Sequence, residues 1–194
     1  MLEQLKTWDR DLLLFLNQFH SSALDGIVPY LTRTDVWIPL YVVLLYLIFK
    51  SQGKEGWFVV LGIAVSVLLT DRITSGLMKP FFERLRPSQE PSLEGLVHLV
   101  DNYKGGLYGF ASSHAANTMG VAMVVFLTLR PVYRYAWLVF LWACIMSYTR
   151  IYLGVHYPGD ILTGTIIGLA CGYAGYRTAL WSRRKWRERQ AKAA

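Results

Sequence analysis

Residues 135–174 read YAWLVFLWACIMSYTRIYLGVHYPGDILTGTIIGLACGYA. Two apolar runs, Tyr135–Met146 and Ile161–Ala174, flank the polar stretch Tyr148–Asp160. Pro158 and Gly159 break the chain just before the second run. The reading is of two membrane helices joined by a turn at the membrane rim. That turn carries Arg150, His156 and Asp160. Charge at such a place is costly and usually functional. An Asp can fix the tautomer of a His through one ring nitrogen and leave the other free to attack. The planar fork of an Arg can grip a phosphate.

The same pattern extends outward from this stretch. The chain of 194 residues is 54% hydrophobic, too apolar for an ordinary soluble domain. Further apolar runs occupy Val36–Phe49, Trp57–Leu69 and Val121–Leu129. A spanning helix takes roughly 20 mostly apolar residues, so each run needs its weakly polar flanks. The expected fold is all-α, an integral membrane helical bundle with five strong transmembrane helices. They are expected at about Asp35–Lys50, Gly56–Met78, Ser113–Leu129, Arg134–Thr149 and Gly159–Trp181. One domain covers 1–194, with an interfacial segment at 1–34, a helical core at 35–181 and a basic tail at 182–194.

At the N-terminus, Met1–Phe19 mixes leucines with Lys6, Asp9, Arg10 and Asp11, which suits an interfacial amphipathic helix. Asp11–Leu31 is a weak sixth span as the alternative, since it carries Asn17, His20 and Asp25. The interfacial or re-entrant reading is preferred, with His20 an interface residue. No signal-peptide pattern precedes the first run, because Glu3, Asp9 and Asp11 stand where a basic region would be. Cys144 and Cys171 lie inside apolar runs and read as small core residues rather than as a disulfide or metal pair.

Loop charges set an expected orientation. Lys50 and Lys54, Arg130 and Arg134, and Arg183, Arg184, Lys185, Arg187 and Arg189 all fall on one side, which the positive-inside rule places in the cytoplasm. The loop Lys79–Ser112 and the turn Arg150–Pro158 then share the outer face. The basic tail reads as a membrane-flanking segment rather than a nucleic-acid patch. Trp37, Trp57 and Trp181 fit interfacial belts.

Three motifs meet on that outer face. Lys79 and Arg86-Pro87 are separated by six residues. Ala111-Ser112-Ser113-His114 opens the third span, and Thr149-Arg150 is followed by His156 and Asp160. Lys79, Arg86 and Arg150 could surround one tetrahedral anion. The Ser112 hydroxyl and the N–H groups at a helix start would add neutral donors, with His114 beside them. Asp71, Ser75 and Lys79 share a helix face, so Asp71 would hold a site cation or form a structural pair. Asn117 and Thr118 read as helix-packing polar contacts. Glu83, Arg84, His98 and Lys104 read as solvated loop charges.

These motifs resemble those of the membrane-embedded type 2 phosphatidic acid phosphatase (PAP2) superfamily: K-x6-R-P, then P-S-G-H, then S-R-x5-H-x3-D. The resemblance runs from about Asp71 to the end of the fifth span. Ala111 replaces Pro, Ser113 replaces Gly and Thr149 replaces Ser. The resemblance implies that Lys79, Arg86, Arg150 and Ser112 hold phosphate, with help from the Ser113 N–H. It implies that His156 attacks phosphorus, Asp160 orients it, and His114 protonates the leaving oxygen. It implies no metal and no cofactor.

The expected protein is a bacterial, metal-independent lipid phosphatase of the cytoplasmic membrane with its site on the periplasmic or extracellular face. Its partners are a phosphorylated lipid and membrane lipids, with no nucleic acid. Undecaprenyl diphosphate is the favoured substrate. Phosphatidylglycerophosphate and lipid A phosphates are the rivals, with phosphotransfer or non-catalytic lipid binding or transport as alternative activities. Oligomeric state is not legible, and the five spans argue against the soluble vanadate haloperoxidases that share such motifs.

Overall fold

The apolar runs fold as helices throughout. A computed structural model describes residues 1–193, apart from the Leu2 side chain. In chain order the helices are α1 (Leu2–Asn17), α2 (Ser22–Leu31), α3 (Ile38–Gln52), α4 (Gly56–Asp71), α5 (Lys79–Phe82), α6 (Ser113–Leu129), α7 (Leu138–Tyr152) and α8 (Pro158–Ala193). A π-helical turn, Arg72–Met78, joins α4 to α5.

Helices α4, α6 and α8 form the centre, and small residues let them approach closely. A Cβ on Gly62 would stand 2.6 Å from the Gly175 carbonyl oxygen, and one on Gly164 would collide with the Ser112 carbonyl. Helix association in lipid rests on such packing, because the hydrocarbon is as apolar as the side chains. The Gly164 contact also presses α8 against the start of α6. Around this centre, Leu44 and Ile48 of α3, Val124 and Val125 of α6, and Trp142 and Met146 of α7 form the main apolar core.

Outward faces are apolar and several buried positions are polar. Val42, Val43, Leu61, Leu68, Leu141, Ile145, Leu162 and Ile166 are exposed, whereas Thr70, Thr74, Ser147 and Thr149 are buried. Hydrocarbon as solvent selects this arrangement, since buried hydroxyls can bond carbonyls one turn back within the helix. The helical tract Asp35–Phe82 is long and apolar enough to cross a membrane. Gly53, at φ 57°, divides it into α3 and α4. Ser113–Leu129 and Leu138–Tyr152 are shorter apolar helices.

Four sequence expectations change. Asp11–Leu31 is not one helix: it breaks between α1 and α2, and 10 residues of α2 reach only about 15 Å. Helix α1 is amphipathic, but its inner face is packed, with Leu13 and Asn17 buried. The basic tail is not a separate element. It continues α8 as far as Ala193, with Arg187 Nε 2.6 Å from the Glu55 carboxylate. Of the two cysteines only Cys171 is buried; Cys144 is on the outer face of its helix.

Candidate active site

The turn between α7 and α8 is held by its own backbone. Val155 N–H donates to the Arg150 carbonyl at 3.1 Å, and Gly154 adopts φ 66° where the chain reverses. Pro158 starts α8, a position where its missing N–H costs nothing. Asp160 therefore lies in the first helical turn. Its Oδ2 accepts the Tyr157 N–H at 3.0 Å and lies 3.3 Å from His156 Nδ1. Both side chains are buried. This leaves Nε2 of His156 as the ring nitrogen not committed to Asp160.

The start of α6 is tied to the same turn. Ser112 N–H donates to the Asp160 carbonyl at 3.0 Å. The Ser112 hydroxyl caps its own helix by accepting the Ala115 N–H at 3.4 Å. First-turn N–H groups have no intrahelical acceptor, so those of Ser113 and His114 remain open to an anion. His114 is accessible at the end of an apolar groove of about 420 Å³ whose lining includes Tyr41, Leu44, Val67, Val121 and Trp142.

The loop after α5 brings in the cations. Glu83, at φ 44°, ends the helix. Arg86 N–H then donates to the Leu107 carbonyl at 3.1 Å, and Gly109 N–H donates to the Arg84 carbonyl at 2.9 Å. This two-stranded pairing, with Leu85 opposite Tyr108, aims Arg84 and Arg86 at the His156 turn. Gly109 leaves the room they need: a Cβ there would stand 3.0 Å from Asp160 Oδ2 and 3.2 Å from Arg86 Cγ. Lys79 reaches Ser113 Oγ at 2.8 Å. Arg150 donates to the Thr32 hydroxyl at 2.8 Å, while its buried Nε has no partner among the described residues.

Among the described residues, Lys79, Arg86 and Arg150 form no ion pair with a carboxylate. Burial first, and then the charges of Arg86, Arg150 and Lys79, push the His156 imidazole well below its ordinary range and keep it neutral. Burial and the neighbouring Arg150 likewise disfavour the charged form of Arg86. Three neighbouring cations that, among the described residues, pair with no carboxylate suit an anion.

Several residues stand elsewhere than the sequence predicts. Arg84 is no solvated charge: it bonds Asp160 Oδ1 at 3.0 Å and Asp9 Oδ2 at 2.8 Å. His98 is not one either, since its Nε2 lies 2.8 Å from Asp25 and its ring stacks on His20. Glu83 and Lys104 are exposed, as expected of loop charges. Asp71 and Arg72 are exposed, and no ion pair involving either is found among the described residues. No hydrogen bond joins Asp71 to Lys79 among the described residues, whereas the Ser75 hydroxyl lies 3.4 Å from the ammonium. Thr118 bonds back to the His114 carbonyl, and Asn117 bonds Thr70, both packing contacts. Asp9 and Asn17 carried no signal of their own, because both come from a helix distant in sequence. Asn17 donates to the Tyr152 carbonyl at 2.8 Å and accepts the His98 N–H at 2.7 Å.

The chain has relatives among known proteins. The family model of the PAP2 superfamily matches residues 55–184. The chain is 39% identical to a lipid A 4'-phosphatase of Bacteroides thetaiotaomicron over 181 residues, 91% of this chain and 77% of that protein. It is 34% identical to a lipid A 4'-phosphatase of Porphyromonas gingivalis, over 95% of this chain and 78% of that one. An undecaprenyl-diphosphatase of Sulfolobus acidocaldarius matches at 29% over 81% of the chain and 72% of that protein. The crystal structure of Aquifex aeolicus LpxE superposes with a TM-score of 0.63 at 27% identity, covering 86% of this chain and 93% of that one. The chain belongs to the PAP2 superfamily, and it is a helical membrane protein and a lipid phosphatase of the PAP2 type.

Proposed function

We propose that the protein removes a phosphate monoester from a lipid A-type glycolipid through a phosphohistidine. The observation that carries the chemistry is the neutral, buried His156 on Asp160, facing three cations that, among the described residues, pair with no carboxylate. The choice of lipid rests on the two lipid A 4'-phosphatases, which match at higher identity and over more of the chain than the undecaprenyl-diphosphatase does. The favoured sequence expectation, undecaprenyl diphosphate, gives way on that ground to its rival.

In this reading Lys79, Arg86 and Arg150 hold the phosphoryl oxygens, with the N–H groups at the start of α6. Ser112 is fully buried and caps the helix, so its main part is to aim those N–H groups. His156 Nε2 attacks phosphorus. A P–N bond forms as the P–O bond to the sugar breaks, and His114 gives its proton to the leaving oxygen. Water then attacks the phosphohistidine, and His114 takes the proton. Catalysis by placed charge fits phosphoryl transfer, where little covalent work falls to the protein. The groove ending at His114 would receive an acyl chain. Positive-inside loops support placing this site on the outer face of the inner membrane.

The test is phosphate release by purified protein in detergent containing EDTA. The substrates are 4'-phosphorylated and 1-phosphorylated lipid A, undecaprenyl diphosphate and phosphatidylglycerophosphate. Higher kcat/KM on the 4'-phosphate than on the others is expected. Preference for undecaprenyl diphosphate would overturn the lipid assignment but leave the chemistry standing. Transfer to an added lipid alcohol in place of water would make the enzyme a phosphotransferase.

A further inference from the structure

We propose that Asp9 and Arg84 are positioning residues that hold the His156–Asp160 pair from the N-terminal helix. The inference rests on His156 and Asp160 acting as nucleophile and orienter.

The Asp160 carboxylate is fully buried, and both of its oxygens are engaged. Oδ2 serves Tyr157 N–H and His156, and Oδ1 takes Arg84 Nη1 at 3.0 Å. The other nitrogen of the fork, Nη2, reaches Asp9 Oδ2 at 2.8 Å. Asp9 Oδ1 in turn accepts the Gly159 N–H at 2.7 Å. The contacts close a ring: Asp9, Arg84, Asp160, and back through the first turn of α8 to Gly159.

Each member has a physical reason to be there. With Pro158 at the first helical position, the Gly159 N–H is the first open donor of α8. Tyr157, which precedes the helix, has no short side-chain acceptor for it. Asp9 therefore caps α8 from another helix, and its charge favours the positive helix end. Gly159 permits the approach, since a Cβ there would stand 2.8 Å from Asp9 Oδ2. The Arg84 guanidinium lies over the Tyr157 ring, 3.9 Å from its centroid, which fixes its plane. Arg86 and the other site cations would attract a free Asp160 carboxylate. Arg84 on Oδ1 holds that carboxylate in place, so Oδ2 stays on His156 Nδ1. Nε2 then points at the phosphate pocket.

The ring touches the reacting atoms only through Asp160, so its loss should slow chemistry and spare phosphate binding. A misplacement of about 1 Å can cost on the order of 10²-fold in rate. The experiment uses the full chain in detergent with p-nitrophenyl phosphate, and vanadate inhibition as the readout of the phosphate pocket. Arg84→Gln should lower kcat by about 30- to 100-fold, with KM and the vanadate inhibition constant within about threefold. Arg84→Lys should recover at least about tenfold of that, and Asp9→Ala should lower kcat by a smaller factor, about 3- to 10-fold. Thermal melting of each variant checks folding. Unchanged kcat in Arg84→Gln would overturn the proposal. So would parallel loss of kcat and vanadate affinity, which would make Arg84 a phosphate ligand. A loss that Lys does not rescue and that follows the melting temperature would make the ring a structural strut only. His156→Ala is the control: activity in that variant would sink the nucleophile reading itself, whatever Arg84 does.

Discussion

Lys79 Nζ lies 2.8 Å from Ser113 Oγ, and the same hydroxyl is 2.8 Å from both Thr74 and Ser75. The contact ties the end of the α4–α5 tract to the first residue of α6. The π turn Arg72–Met78 brings Thr74 and Ser75 to it, a common use of a π segment at a functional site. Lys79 is thereby held beside the open N–H groups of α6. Ser113→Ala should raise KM for p-nitrophenyl phosphate about tenfold, the worth of one hydrogen bond to a charged group, with a smaller fall in kcat. Steady-state kinetics would check this, and an unchanged KM would remove Ser113 from the ordering of Lys79.

His156→Ala should insert and fold but release no phosphate above about a thousandth of the wild-type rate, as expected when a nucleophile is lost. Acid-sensitive, base-stable phosphate on wild-type protein quenched during turnover should be absent from the variant. Vanadate should inhibit the wild type competitively, because it can take the trigonal-bipyramidal form of the transition state. Turnover by the variant within tenfold of wild type would exclude His156 as the nucleophile.

The buried His156 predicts the sign of a stability effect. Its imidazole is held well below its ordinary range in the fold, whereas in the unfolded chain it titrates at about 6.5. The unfolded state then binds more protons as pH falls below that value. Stability is fully present above it and is lost progressively on acidification toward the lower folded value. The melting temperature in detergent should therefore fall between pH 7 and 5 more steeply for wild type than for His156→Gln. Parallel slopes for the two proteins would contradict the buried neutral imidazole.

Sidedness joins the fold to the lipid. A single Cys placed at the exposed Ser92 should react with an impermeant maleimide in intact cells made permeable at the outer barrier. A single Cys placed at Ser182 should react only after lysis. Cys144, although on the outer face of α7, should stay unlabelled because lipid covers it. The reverse pattern would put the site in the cytoplasm and exclude an outward-facing substrate.

The sequence by itself determined the helices and one half of the site. Continuous apolar runs without the in–out alternation of a barrel strand read as helices in hydrocarbon, where the backbone must bond to itself. The four-residue step from His156 to Asp160 across a helix start brings both onto one side, whatever the rest of the chain does. Tertiary structure alone decided where the remaining charges go. Arg84 and Arg86 differ by two positions and look alike in sequence. The pairing of Leu85 with Tyr108 aims both at the same turn, and only the arrival of Asp9 assigns Arg84 to Asp160. The N-terminal segment read as a surface helix, which its exposed Leu5, Trp8, Leu12 and Phe15 justify. Its other face, with Asp9, Leu13 and Asn17, is specified by partners at least 75 residues away, and no local pattern encodes them. Local periodicity fixes which face of a helix is apolar; which neighbour meets the polar groups depends on packing of distant segments.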